Sequence, residues 1–351
     1  MKDTAEIRRG EELNEANLQA FLRGALGVKT NEIAVKQFPA GSSNLTYLVK
    51  IGDKEFVLRR PPFGNQVKTA HDMKREFDVL EKLSTVYQPA PKPFFYCADE
   101  NVIGSEFYLM ERRRGLIIRG KSPQSLENSK DLQRKVCENF VENLVALHAI
   151  DYKKIGLENL GKPEGYARRQ VEGWTKRYFN AKTDENFELE KAIEWLGENT
   201  PTSHGAALIH NDYKFDNIML NPKNLTEIVA VLDWEMATLG EPLMDLGTTL
   251  GYWISKDAGE NLLNMPFNPR VLMENFSRKE LVEIYAEKSG ADVSNILFYY
   301  IFGTFKIAAI AQQIYFRFAK GKTRDKRFAP FNLFVDALGK IALRAIEKGK
   351  I

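Results

Sequence analysis

Apolar and polar positions change their period several times along this chain, and the changes mark out its elements. Asn14 to Leu26 carries apolar residues at helical spacing, whereas 33–38, 44–50 and 55–59 alternate as three short strands separated by glycine-containing turns. That order predicts an antiparallel meander. From Ala70 to Leu83 the helical period returns, with Met73, Phe77, Leu80 and Leu83 on one face, until Pro89-Ala-Pro-Lys-Pro93 breaks it. Segments 94–96 and 107–111 add two more strands. Beyond Gly115 the pattern predicts amphipathic helices over 131–149, 166–180 and 188–198, and a mostly helical C-terminal stretch. Two short apolar strands, 207–210 and 228–233, interrupt the helices, and each ends in an ionisable residue. The whole reads as an α+β fold: a small antiparallel-sheet lobe over 1–112 and a larger, mainly helical lobe over 113–351.

Composition narrows the class of protein. A chain of 351 residues, 44% hydrophobic and 28% charged, buries a substantial core and is not globally disordered. Its formal net charge of +3 argues for neither a nucleic-acid nor a membrane partner. Cys97 and Cys137 are too few for a disulfide framework or a zinc site, which points to a reducing compartment. Residues 1–27 are charged throughout and carry no signal-peptide core. The apolar stretch 296–316 contains Lys306, Gln312 and Gln313, so it reads as a buried helix and not as a membrane span. A soluble, cytoplasmic protein is expected.

Candidate chemistry concentrates in His210-Asn-Asp212-Tyr-Lys-Phe-Asp216-Asn217 and in Leu232-Asp-Trp-Glu235. Phosphoryl transfer needs little covalent help from a protein. Magnesium must hold the β- and γ-phosphates, and a carboxylate must orient the attacking hydroxyl and accept its proton. Asp212 suits the base; Asn217 and Asp233 suit the metal, in the spacing of a kinase catalytic loop followed by a strand that delivers the second ligand. Asp and Asn alone are ordinary turn residues; their order with Asp233 after an apolar strand carries the reading. His210 has no metal-ligand partner at a suitable spacing and is read as a brace for the loop.

With these motifs in order, the chain resembles small-molecule kinases of the aminoglycoside phosphotransferase and choline kinase type, which share the protein kinase-like two-lobe fold. It is also similar to the kinase-like domains fused to some acyl-CoA dehydrogenases. The resemblance runs from Phe38-Pro-Ala-Gly-Ser-Ser-Asn44 through Tyr108-Leu-Met-Glu111 and His210-Asn-Asp212 to Asp233-Trp-Glu-Met-Ala-Thr-Leu-Gly240 and Asp245-Leu246. It implies that Asp212 is the catalytic base, that Asn217 and Asp233 bind Mg²⁺, and that Glu235 adds a metal or water contact. It implies further that Gly41, Ser42, Ser43 and Asn44 close over the phosphates of ATP (or GTP). Arg59 would take the place of the phosphate-binding lysine with Glu76 as its helix partner, and the backbone of Met110, Glu111 and Arg112 would meet the base. Asp245 would brace the catalytic-loop backbone. The N-terminal lobe would then be the nucleotide-binding one, and the C-terminal lobe would hold the acceptor.

The chain departs from the family pattern at three places. Asn211 stands where glycine is usual, and asparagine is the non-glycine residue that best tolerates a left-handed backbone. An arginine replaces the lysine; Arg60 is adjacent, and strand alternation favours Arg59, in phase with Val57, with Arg60 on the opposite face. Asp233-Trp-Glu235 replaces Asp-Phe-Gly and no Ala-Pro-Glu follows, which favours a small-molecule hydroxyl as acceptor over a protein. Acceptors in view are an aminoglycoside-like compound and a hydroxylated acyl or CoA ester. The competing readings are a non-catalytic nucleotide-binding scaffold and a protein kinase.

Overall fold

The computed structural model describes residues 3–28, 32–39, 44–63, 72–202, 205–254, 258–263, 265, 268–323 and 325–351, without the side chains of 260–261. The chain divides into two compact units, Met1–Arg114 with Val229–Glu235, and Gly115–Ile228 with Met236–Ile351. The short segment that carries Asp233 thus belongs with the N-terminal sheet.

In the first unit, strands β1 (Ile33–Gln37), β2 (Leu45–Ile51), β3 (Lys54–Arg60), β4 (Pro93–Cys97) and β5 (Phe107–Glu111) form one sheet in the order β1-β2-β3-β5-β4. All its pairings are antiparallel. The first three strands make the expected meander, but β5 lies beside β3 and leaves β4 at the edge. Alternation sorts the side chains: Tyr47, Val49, Phe56 and Leu58 join Leu18 and Leu22 of helix α1 (Glu15–Leu26) in a common core. Helix α2 (Met73–Leu83) starts at Asp72, whose side chain caps the Arg75 N–H. Its buried residues include Met73, Glu76, Val79, Leu80 and Leu83, while Phe77 is half-buried against Tyr108. The inward stripe therefore contains a carboxylate where periodicity placed an aromatic ring, because Glu76 has a cationic partner. The short α3 (Glu100–Ile103) precedes β5.

The second unit begins with α4 (Gln124–Glu127), α5 (Lys130–His148), α6 (Tyr166–Ala181) and α7 (Phe187–Glu198). Strands β6 (Ala207–Ile209) and β7 (Ile218–Asn221) come next, then β8 (Asn224–Val231), whose last three residues count with the first unit, and then β9 (Thr238–Gly240) and α8 (Pro242–Tyr252). The chain ends with α9 (Glu260–Leu263), α10 (Arg270–Asn275), α11 (Arg278–Ser289), α12 (Ile296–Ala319) and α13 (Phe331–Lys348). β6 pairs antiparallel with β9, and β7 pairs with β8. α12 is the central element, packed by α8, α13, α6 and α7, which explains why its apolar residues run round the helix and not along one stripe. Among the described residues no helix is long and apolar enough to cross a membrane.

The α8–α12 contact is unusually close. A Cβ on Gly247 would lie 2.1 Å from the Tyr299 carbonyl oxygen, and one on Gly303 would lie 2.0 Å from the Gly247 carbonyl oxygen. Backbone meets backbone there, which only glycine permits.

Candidate active site

In the second unit the loop after β6 is fixed from several sides. The carboxylate of Asp245, on α8 and fully buried, accepts the N–H of His210 through Oδ2 and that of Asn211 through Oδ1, both at 2.7 Å. His148 Nε2 lies 3.2 Å from the same carboxylate. Burial works to raise the Asp245 carboxyl, yet the His148 hydrogen bond and the nearby imidazoles and amides hold it below the ordinary carboxylate range. It is anionic where its two amide partners need it. Asp245 is the loop brace, and His210 is buried with Nδ1 accepting the Asp212 N–H at 3.2 Å.

Asn211 has φ +66°, the left-handed conformation that its place in a glycine position suggested. Its side chain has contacts that glycine would lack: Nδ2 donates to the Tyr166 hydroxyl at 3.0 Å and to the Met236 carbonyl at 3.1 Å. From α12, Lys306 Nζ donates to the Asn211 carbonyl at 2.7 Å. Helices α6, α8 and α12 thus converge on one residue.

The next residue, Asp212, presents a carboxylate gripped on both oxygens. Lys214 Nζ donates to Oδ1 at 2.9 Å and Oδ2 at 2.8 Å, and Asn217 Nδ2 donates to Oδ2 and to the Asp212 carbonyl, each at 2.9 Å. Asn217 stands at the end of the 3₁₀ turn Phe215–Asn217, which Phe140 of α5 supports by stacking on Phe215 at 4.3 Å. Both donations come from Nδ2, so Oδ1 is the acceptor that the Asn217 side chain keeps. Burial alone would depress Lys214, but the Asp212 carboxylate outweighs it and raises the ammonium above its ordinary value. Lys214 and Lys306 are functional candidates that sequence reasoning missed. Lys214 lay inside the quoted motif and could have been noticed by its spacing; Lys306 was read only as an interruption of an apolar run.

In the first unit a second cluster forms around Arg59. Its Nη2 lies 2.8 Å from Asp233 Oδ1 and 3.8 Å from Glu235 Oε2, and its Nε lies 3.4 Å from Glu76 Oε2. Asn44 Nδ2 donates to Glu235 Oε2 at 2.6 Å. Burial opposes the Arg59 charge, but Glu76 and Asp233 raise its pKa well above the usual value. Burial pushes the Glu76 carboxyl up, and Arg59 draws it back down in part. Asp233 has φ +69°, next to Trp234, whose buried indole donates to the Val231 carbonyl at 2.8 Å. Arg60 takes the other face of β3, where it donates to the Ile103 carbonyl at 2.8 Å and lies over Phe63.

Glu111 ends β5 with its N–H donated to the Lys92 carbonyl at 2.9 Å, and Met110 is buried in the sheet. The arginines that follow are paired: Arg112 with Glu55 and Asp3, Arg113 with Glu111, Arg114 with Glu55. Gly41, Ser42 and Ser43 lie outside the described residues.

Comparison with known proteins gives the family. A model described as the phosphotransferase enzyme family matches residues 34–267. The chain belongs to the phosphotransferase enzyme family. Among curated relatives, acyl-CoA dehydrogenase family member 11 of Gallus gallus is 32% identical over 356 residues, covering 98% of this chain and 45% of that one. Acyl-CoA dehydrogenase family member 10 of Mus musculus is 30% identical over 352 residues, covering 97% of this chain and 32% of that one. The chain thus spans less than half the length of these relatives. A solved putative aminoglycoside phosphotransferase from Ralstonia eutropha superposes with a TM-score of 0.80 at 26% identity, covering 96% of this chain and 99% of that one. Choline kinase from Cryptosporidium parvum gives 0.66 at 15% identity, covering 96% and 97%. The kinase-like α+β fold and the phosphotransferase family are those to which the motifs pointed.

Proposed function

We propose that the chain transfers the γ-phosphoryl group of ATP or GTP, as its Mg²⁺ complex, to a hydroxyl of a small molecule. The observation that carries this reading is the Asp212 carboxylate, held in place by Lys214 and Asn217 while Asp245 fixes the backbone that leads into it. A carboxylate immobilised in this way can align a hydroxyl and take its proton as the oxygen forms a bond to the γ-phosphorus and the bond to the nucleoside diphosphate breaks. Lys214, donating to both oxygens of the same carboxylate, supplies positive charge next to the reacting group.

Asn217 Oδ1 and the carboxylates of Asp233 and Glu235 are hard oxygen donors of the kind magnesium takes beside phosphates and water. Asp233 and Glu235 already surround a cation, the guanidinium of Arg59, and so fit a positively charged guest. Bound magnesium would neutralise the β- and γ-phosphate oxygens. Arg59, aligned by Glu76, serves the nucleotide phosphates together with Asn44; Met110 to Arg112 meet the base.

β9 ends at Gly240 and α8 begins at Pro242, so no activation segment separates them and a small acceptor is favoured over a protein. The names of the curated relatives bring a hydroxylated acyl or CoA ester into consideration, and a related structure bound to AMP-PNP and hygromycin B brings in an aminoglycoside. Cys97 and Cys137 are both free, which agrees with a cytoplasmic location.

The test is a coupled ATPase screen of hydroxylated metabolites, acyl-CoA esters and aminoglycosides, followed by Asp212→Asn. The variant should bind nucleotide nearly as well as the wild type and turn over roughly 10²–10⁴-fold more slowly, the worth of a general base. Undiminished turnover in the variant would sink the mechanism. Wild-type protein that binds nucleotide and phosphorylates nothing would be a scaffold.

A further inference from the structure

A pocket of about 360 Å³ opens in the second unit beside the loop that carries Asp212. Among the described residues its lining includes Lys162, Arg169, Arg177 and Lys306, and no acidic side chain. Arg169 donates to the carbonyls of Lys162 and Glu164, which holds its guanidinium in one place. Arg177 lies 4.7 Å from the centre of the Trp174 ring. Lys306 is only 2% exposed, and of its three N–H donors Asn211 takes at most two. The pocket also contains Tyr166 and Trp174, which offer carbon surface between the charges. Asn211 lines it too, and its peptide leads directly into Asp212.

We propose that this pocket receives the phosphoryl acceptor and selects an anionic alcohol, a hydroxyl compound bearing a carboxylate or a phosphate, over a cationic one. The assignment of the pocket to an acceptor rests on the phosphotransferase reading above; its preference for an anion rests on the lining alone. Three exposed cations around a buried fourth attract an anion and repel a polycation. The buried ammonium is drawn down to about 8 by burial, against the pull of Asp212 and Asp245, and an anionic guest would relieve part of that cost.

The experiment is calorimetric titration of the full chain with 3-hydroxybutyrate, glycerol 3-phosphate, choline and kanamycin, with phosphoryl transfer to each assayed in parallel. The first two arms separate a carboxylate from a phosphate. The same titrations are run on Arg177→Glu and on the Arg169→Glu/Arg177→Glu double variant, both at exposed positions, with circular dichroism to check folding. At least one anionic probe should bind, the double reversal should weaken it about tenfold or more, and choline and kanamycin should bind more weakly than the anions. The inference is overturned if a cation binds wild type more tightly than the anions, if anion binding survives the reversals, or if neither anion binds at millimolar concentration. Charge-sensitive anion binding without any transfer would spare the pocket's preference and defeat the phosphotransferase reading. Transfer to kanamycin alone would do the reverse.

Discussion

At the scale of single residues, the two adjacent arginines of β3 should behave differently. Arg59 faces Glu76 and Asp233, so Arg59→Ala should lower kcat/KM strongly, and adding Glu76→Ala should then cost far less than it does in the wild type. A double-mutant cycle checks this; additive effects would separate the pair. Arg60 is buried on the other face and donates to a backbone carbonyl, so Arg60→Ala should reduce stability by about 1–3 kcal/mol in denaturant unfolding, with kcat little changed. Lys306 gives a pH signature. Its native value of about 8 lies below the unfolded value of about 10.4, so between these the unfolded chain holds the proton that the native chain has lost. Stability supplied by this residue therefore rises with pH through that window, by up to about 1.4 kcal/mol per unit. Unfolding titrations between roughly pH 8 and 9.5 should show a more positive slope in the wild type than in Lys306→Met, since the opposing contribution of the two thiols that burial raises is common to both and the window ends below the tyrosine range.

At the scale of elements, α8 and α12 carry the two groups that hold the loop, Asp245 and Lys306, and Gly247 and Gly303 set the distance between them. Gly247→Ala or Gly303→Ala would force the helices apart, because the obstructing atoms are backbone and cannot rotate away. We expect a loss of about 1–3 kcal/mol in thermal or denaturant unfolding, together with lower kcat, since both braces shift with the helices. If stability fell and kcat did not, the helix spacing would be irrelevant to the loop. Much of this level was legible beforehand. Alternation in 44–59 and helical spacing in 131–149 and 166–180 predicted elements that the structure contains; each of the two helices has one buried face, whereas β2 and β3 bury residues on both faces of the sheet. β9, only Thr238–Gly240, is too short to show a period, and its existence depends on pairing with β6. The burial of Glu76 and Lys306 was equally invisible, since a buried charge is made tolerable by partners distant in sequence.

For the molecule as a whole, the candidate motifs were readable because phosphoryl transfer limits which residue types can serve it, whereas the proposed acceptor pocket was not. Its cations come from the segment before α6, from α6 itself and from α12, and only folding brings them together. The division of the chain adds another consequence: Asp233 belongs to the unit of Arg59, and Asp212 and Asn217 to the other. Thermal scans should show AMP-PNP with Mg²⁺ stabilising the wild type, by about 2.7 kcal/mol at a ligand concentration one hundred times Kd. In Asp233→Ala the magnesium-dependent part of that gain should vanish. An unchanged response to Mg²⁺ would remove Asp233 from the metal site.

The carboxylate of Asp245 has a kinetic consequence of its own. The amides of His210 and Asn211 belong to a loop, where hydrogen exchange is ordinarily fast, yet both end on a buried side chain of α8. Neither proton can exchange until its bond to that buried carboxylate opens, so the two should exchange far more slowly than ordinary loop amides. In a deuterium pulse the residues leading into Asp212 would label well after the other loops of their unit.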